Sequence, residues 1–265
     1  MTVVAVPAKP PRPGVVLSRL VETTPLSATA AVSLYEATLS DIVRAVATSG
    51  GDLLVNYRPA ESLPEAETDT DDAEDAEDPE TAVRSLVEAA LADLEGDPHA
   101  GEPRYEPQVG STAAARVGNT VTHLLEREGV GSAAVLWPTA PLAGRTAVDG
   151  AAMKLRDATT VLGPTATGDV YYAGFTEPVD FEGALTAPAV ETVTDRTADA
   201  GGQADFLDVV PSVATPSGLA TTVSLVRARE RAGQRVPSYT AAAVGTLGLR
   251  TRETGGSMTV RVSGD

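Results

Sequence analysis

Residues 3–20 read VVAVPAKPPRPGVVLSRL. Val3 to Val6 form a β-branched run that breaks into a loop carrying Lys9, Arg12 and Arg19 among Pro10, Pro11, Pro13 and Gly14. A helix-like segment follows, from about Ser27 to Thr48. Prolines stiffen such a loop, and Gly14 permits a positive φ or the close approach of a ligand to the backbone. Three cations on a stiff loop at the end of a first strand read as a cradle for an anion, with a solvated basic loop that balances neighbouring acids as the alternative. That order of parts predicts a nucleotide-type pocket in an α/β fold.

The rest of the chain alternates in the same way. Strands are expected at 2–6, 51–56, 133–137, 158–162, 169–175 and 205–210. Helices are expected at 27–49, 80–95, 112–128, 146–156, 188–200 and 217–233. The helix at 112–128 sets Val117, Val121, Leu124 and Leu125 on one apolar face. Ser27 and Ser111 are placed to cap the first and third helices, and Gly129 stands where a C-terminal glycine belongs. Alternating β and α units predict a mostly parallel sheet with helices on both faces, a three-layer Rossmann-like α/β/α arrangement. One domain over residues 1–249 is expected, followed by a polar tail, 250–265, that adds a short edge strand at 257–262 or frays.

A chain of 265 residues is long enough for one well-buried α/β core. The absence of cysteine excludes disulfides, thiolate chemistry and Cys-based zinc sites. No apolar run approaches a membrane span, and no basic region precedes an apolar core at the N-terminus, so a cytoplasmic protein is expected. The net charge is −17, and much of it lies in residues 61–80, ESLPEAETDTDDAEDAEDPE, with 11 acids and no base. Residues 61–79 read as a disordered, solvated insertion, with a cation-binding or docking tail as the alternative. Lysine occurs only at Lys9 and Lys154, and every other base is arginine. This acid-rich, lysine-poor composition resembles that of proteins from salt-accumulating archaea, in which salt screens self-repulsion. An acidic surface excludes nucleic acid and anionic membranes as partners.

The motifs at the strand ends add a family resemblance over most of the chain. KPPRPGVVLSRL, then Asp41 in LSDIV, then VLGPTATGDVYYAGF, then VVPSVATPSGL, run in the order found in GT-A-like transferases. The chain resembles the small nucleotide-diphospho-sugar-transferase-like proteins, related to 2-phospho-lactate guanylyltransferases. Their first loop reads roughly K-A-P-R-P-G-x-x-K-T-R-L. Lys9, Pro11, Arg12, Pro13, Gly14, Arg19 and Leu20 match it, while Leu17 replaces the second lysine and Ser18 the threonine. The resemblance implies a GT-A fold, a nucleotide or nucleotide-sugar ligand, and magnesium or manganese as cofactor.

The acids of that family are missing. Its G-S-D-x-P-x-L motif is here Trp137-Pro138-Thr139-Ala140-Pro141-Leu142, and its G-P-x-D-D-G-G-Y-Y begins Gly163-Pro164-Thr165-Ala166-Thr167-Gly168-Asp169-Val170-Tyr171. Its D-V-D-T-P-x-D-L is here Ser212-Val213-Ala214-Thr215-Pro216-Ser217-Gly218-Leu219. Magnesium requires hard oxygen ligands, usually with one or two carboxylates. Three motifs lose their acids in a chain that holds 37 of them, so composition does not explain the loss. No metal site, and hence no bound metal cofactor, is expected.

Lys9, Arg12, Gly14, Ser18 and Arg19 are the phosphate-binding candidates implied by the resemblance. Trp137, Thr139, Gly163, Pro164, Gly168 and Tyr171 are the pocket candidates. Asp169 reads as the turn residue of a Gly-Asp hairpin, with a relocated metal ligand or general base as the alternative. Trp137 reads as a core plug, with a ring-stacking surface as the alternative. His99 and His123 have no partner at ligand spacing. Arg227, Arg229, Arg231 and Arg235 read as favourable charge at a helix C-terminus. The expected function is nucleotide or nucleotide-sugar binding with metal-dependent catalysis lost or altered. The alternatives are a metal-independent glycosyl- or nucleotidyltransferase and a non-catalytic partner, a homodimer or the companion of an active paralogue.

Overall fold

Val4, Val6 and Ala8 are buried in one apolar cluster, while Val3 and Ala5 are buried in another. Successive side chains of a strand face opposite ways, so a strand apolar at every position must be covered on both faces. The computed structural model, which describes residues 1–63, 77–94 and 101–262, has this arrangement. Strands β1 (Thr2–Ala8), β2 (Asp52–Tyr57), β3 (Arg104–Pro107), β4 (Ser132–Leu136), β5 (Thr160–Pro164), β6 (Val170–Phe175) and β7 (Ala204–Phe206) form one sheet in the order β3-β2-β1-β4-β6-β5-β7. Only β6 runs against its neighbours. The expected α/β, three-layer, mostly parallel fold is the one observed.

Helices α2 (Ala28–Ala47), α3 (Pro79–Leu91) and α5 (Arg145–Lys154) cover one face through Leu39, Ile42, Val43, Val83, Val87 and Val148. Helices α4 (Ala113–Thr122) and α6 (Ala189–Asp199) cover the other through Val117, Val121 and Val193. Ser27 caps α2, its hydroxyl accepting the Ala30 N–H at 3.1 Å. At α4 the cap is Thr112, one residue beyond the expected Ser111, accepting from Ala115 N–H at 3.0 Å. The helix expected to reach residue 128 changes to a π-helical turn over His123–Arg127 before Gly129, whose φ is 67°.

Four elements escaped the sequence reading, β8 (Leu249–Thr254) in the expected polar tail and three others, each for a local reason. Helix α1 (Ser18–Thr23) is six residues long and lies inside the cationic loop. Strand β3, RYEP, is short, charged and at the sheet edge, with no apolar alternation. Helix α8 (Ser238–Thr246), SYTAAAVGT, has Thr and Gly where strong helix formers would mark it. The strand expected at 205–210 shortens to β7, after which Leu207 and Val210 still donate N–H groups to Leu162 and Pro164.

The segment 257–262 does form a strand, β9 (Ser257–Val262). It pairs with β8 (Leu249–Thr254) in a separate hairpin and does not extend the central sheet. Leu249 and Val260 join Leu20, Leu34, Val223 and Val244 in a third apolar cluster, which ties this hairpin to α1, α2, α7 (Pro216–Arg231) and α8. Residues 64–76 of the expected acidic insertion lie outside the described residues. On its flanks, Ala60–Ser62 forms a 3-10 turn and Asp78 caps α3.

One glycine marks a site of easy stabilisation. Gly150 lies inside α5, and a Cβ added there meets nothing within 4 Å. Gly150→Ala is therefore expected to raise stability by about 0.5–1 kcal/mol, read as a higher denaturant midpoint at unchanged slope.

Candidate functional site

Strands β2 and β3 lie on one side of β1, and β4 lies on the other. Connections leaving β1 and β4 therefore diverge, and open α/β sheets bind ligands in the crevice this creates beyond the strands' carboxyl ends. A cavity of about 300 Å³ opens there. Lys9, Leu17, Ser18 and Arg19 supply one wall, Asn56, Arg58 and Gln108 another, and Arg116 and Thr120 of α4 a third. Trp137 and Thr139, just beyond β4, close the remaining side with Val135 beneath.

The loop after β1 is held by specific bonds. The Lys9 N–H donates to the Tyr35 hydroxyl at 2.8 Å, and the Lys9 ammonium donates to the Val15 carbonyl at 3.0 Å. Burial pushes the Tyr35 hydroxyl's pKa up, so it stays protonated under the loop. Gly14 turns the chain with φ 82°. Leu17 also has positive φ, 48°, a conformation that costs a non-glycine residue roughly 1–2 kcal/mol. Its half-buried side chain packs against two of the apolar clusters, which offsets that strain. Arg12 donates from Nη2 to the Glu77 carbonyl and is not among the cavity's lining residues.

The wall at β2 and β3 is built from buried amides. Gln108 donates from Nε2 to the Asn56 carbonyl at 2.7 Å, and Asn56 donates from Nδ2 to the Glu106 carbonyl at 3.1 Å. The Thr120 hydroxyl donates to Asn56 Oδ1 at 3.1 Å. Arg58 donates from Nε and Nη2 to the Ser62 carbonyl, at 3.0 and 2.5 Å. Arg116 donates from Nη1 to the Gly110 and Ser111 carbonyls, at 3.1 and 3.3 Å. Burial, and then the nearby charge of Arg58, lower the pKa of Arg116. Arg58 and Arg116 are the site residues that sequence reasoning missed. Their one legible signal was position, Arg58 just after the strand expected at 51–56 and Arg116 near the start of the helix expected at 112–128.

Trp137 packs on the core and also faces the cavity. Its backbone N–H donates to the Tyr171 carbonyl at 2.9 Å, its side chain packs against the second apolar cluster, and it also lines the cavity. Gly163, Pro164 and Gly168 are not among the lining residues. A Cβ on Gly163 would lie 2.5 Å from the Tyr171 ring, so packing demands that glycine. Tyr171 is buried, its hydroxyl donates to the Asp208 carbonyl at 2.9 Å, and it borders a second groove beside Arg145 and Lys154. Gly168 and Asp169 lie in the β5–β6 hairpin turn, where the Thr165 N–H donates to the Asp169 carbonyl at 2.7 Å. The Thr167 hydroxyl donates to Asp169 Oδ2 at 3.2 Å. Arg229 and Arg231 occupy the last turn of α7.

Two positions where the family resemblance places acids are brought together by the fold. Thr139 and Ser212 meet through their hydroxyls at 3.0 Å, the Val213 N–H donates to the Thr139 carbonyl at 2.7 Å, and Ala214 lines the cavity. Magnesium or manganese would need carboxylate oxygen here, and these neutral hydroxyls do not fit it. Elsewhere, Glu106, His123 and Glu128 bring ligand atoms within 4.8 Å of one another. Arg104 already spans both carboxylates, donating to Glu128 at 2.8 Å from each terminal nitrogen and also to Glu106. That cluster is an ion-pair network in which Arg104 takes up the free carboxylate acceptors. His99 lies outside the described residues.

The chain thus has the α/β Rossmann-like fold of nucleotide-sugar transferases. A solved protein from Desulfovibrio desulfuricans G20, provisionally described as a nucleotide-diphospho-sugar transferase, superposes with a TM-score of 0.70 over 92% of this chain and 94% of its own, at 19% identity. Weaker likenesses include a cytidylyltransferase from Leptospira borgpetersenii (TM-score 0.48, 8% identity, 92% and 94% of the two chains) and a mannosyltransferase from Pyrobaculum calidifontis (0.42, 13%, 92% and 68%). No family model and no curated protein matches the sequence.

Proposed function

We propose that this chain binds a nucleotide or nucleotide sugar in the β1–β4 cavity without a divalent metal, and that the metal-dependent catalysis of the family it resembles is lost or altered. One observation carries the reading. Among the described residues, the cavity is lined by Lys9, Arg19, Arg58 and Arg116 and by no carboxylate, in a chain with 37 acids against 20 bases. A cavity so opposed to the charge of its protein selects an anion. Lys9 and Arg19 meet the diphosphate, lysine as a point charge and arginine through its fork of donors. Trp137, with Val117 and Val135, offers the apolar surface for a ring. The composition suits a cytoplasm of high salt, and the loop motif suits a divergent relative of the guanylyltransferases.

The four cations also favour a second reading, a metal-independent transferase in which Arg19 offsets charge on the leaving diphosphate. Turnover that Arg19→Ala abolishes would support it.

Trp137 is the sole tryptophan, so its fluorescence reports on the cavity alone. In molar KCl, titration with a panel of nucleoside diphosphates and nucleotide sugars is expected to give saturable binding, with affinity unchanged within about two-fold by EDTA. Silence across the panel, or binding that EDTA abolishes, would sink the proposal.

A further inference from the structure

Arg58 and Arg116 project into one cavity from different elements, the end of β2 and the first turns of α4. Neither forms an ion pair among the described residues, although acids outnumber bases in this chain. Each is clamped by backbone carbonyls along part of its guanidinium, Arg58 by Ser62 and Arg116 by Gly110 and Ser111. A guanidinium has five donors, so each retains donors beyond those spent on its clamp. Two fixed like charges on adjoining walls of one cavity repel, and partial burial sharpens the repulsion. A carboxylate offsets one such charge, whereas a terminal phosphate, at about −1.5 to −2 near neutral pH, offsets both. The buried amide of Gln108 donates to the Asn56 carbonyl, and that of Asn56 donates to the Glu106 carbonyl and accepts from the Thr120 hydroxyl, so both brace the wall beside Arg58.

We infer that Arg58 and Arg116 form a terminal-phosphate subsite, separate from the cations of the first loop, so that the cavity selects ligands by phosphate number. This deepens the nucleotide-binding proposal and rests on it. The first loop holds the phosphates nearer the nucleoside, and the arginine pair closes on the last one. Arg58 is tied to the end of β1 by its own N–H, which donates to the Ala8 carbonyl at 2.8 Å. Arg58 is therefore anchored to the same strand end as Lys9, which fixes its spacing from the first-loop cations.

Trp137 fluorescence tests this with a nucleoside, its monophosphate, its diphosphate and inorganic pyrophosphate, on wild type, Arg58→Gln and Arg116→Gln. Wild type should bind the diphosphate more than about ten-fold tighter than the nucleoside, and each variant should lose most of that gain while binding the nucleoside as before. The double variant should lose little more than either single one, because the two side chains grip one group. Arg116 also secures its loop, so Arg58→Gln, whose clamp involves Ser62 alone, is the decisive variant if Arg116→Gln fails to fold. If both folded variants keep the wild-type preference for diphosphate, the subsite is refuted while nucleotide binding stands. If no nucleoside or nucleotide binds but pyrophosphate does, and that binding needs the arginines, the subsite stands and the nucleotide reading falls.

Discussion

Gly218→Ala is expected to destabilise the protein by about 3 kcal/mol or more, because a Cβ there meets backbone more closely than at the other glycines compared among the described residues. Gly218 lies in the first turn of α7, where its N–H donates to the Thr215 hydroxyl at 3.1 Å, the bond that caps the helix. A Cβ at this position would sit 1.9 Å from the Ser212 carbonyl oxygen and 2.8 Å from Thr215 Oγ1. The first of these is backbone and cannot swing aside. The helix must therefore shift, which costs the cap about 1 kcal/mol and strains the packing of Leu219 and Val223 in the third cluster. Chemical unfolding measures the loss. A midpoint equal to wild type would show that the Ser212–Thr215 turn is more pliant than its geometry implies. The same turn carries the hydroxyl that meets Thr139, so the variant should also disturb the Trp137 signal of the neighbouring cavity.

Asp41→Ala is expected to cost about 2–3 kcal/mol and to loosen the C-terminal unit before the rest. Helix α8 has no side-chain cap of its own, because Pro237 occupies the N-cap position. Asp41, buried on α2, substitutes for one. Its Oδ1 accepts the Tyr239 N–H at 3.1 Å and its Oδ2 accepts the Thr240 N–H at 2.7 Å. Removing the carboxylate leaves both donors without that acceptor and deletes a negative charge from a helix N-terminus. Hydrogen exchange should show α8, β8 and β9 opening at lower free energy in the variant, with β1 and β4 little changed. Uniform loss across all strands would contradict this division.

The carboxyl also carries a pH signature. Burial, its largest influence, raises its pKa, while the Thr240 and Tyr239 donors and Arg44 lower it, with a net rise. The folded state then holds a proton over a range where the unfolded chain has released it. This group's contribution to stability therefore falls as pH climbs through that range, and the alanine variant lacks the slope.

Much of the fold was legible because period and composition are local properties. Val3 to Val6, uniformly apolar, required cover on both faces, and the apolar stripe of Val117 and Val121 placed α4 against the sheet. Of the missed elements, α1, β3 and α8 share the opposite property. Each is stabilised mainly by what it touches: α8 by Asp41 from α2, and β3 by the backbone ladder of β2. Neither kind of support leaves a pattern in its own segment.

Of the candidate site, the sequence by itself carried the charge of the first loop and the residue types at the strand ends, and the proposed metal-free binding of an anion rests on both. Lys9 and Arg19 were legible as cations on a stiff loop, and Thr139, Ser212 and Ala214 as neutral residues where the resembled family has acids. Only the tertiary structure decided which side chains share the cavity. It engaged Arg12 with the Glu77 carbonyl, brought Arg58 and Arg116 into one cavity, and joined Thr139 to Ser212 across 73 residues of chain. The physical reason is range. Charge, rigidity and residue type are carried by each segment alone, whereas the meeting of side chains depends on strand order, and strand order is settled by burying the whole sheet at once.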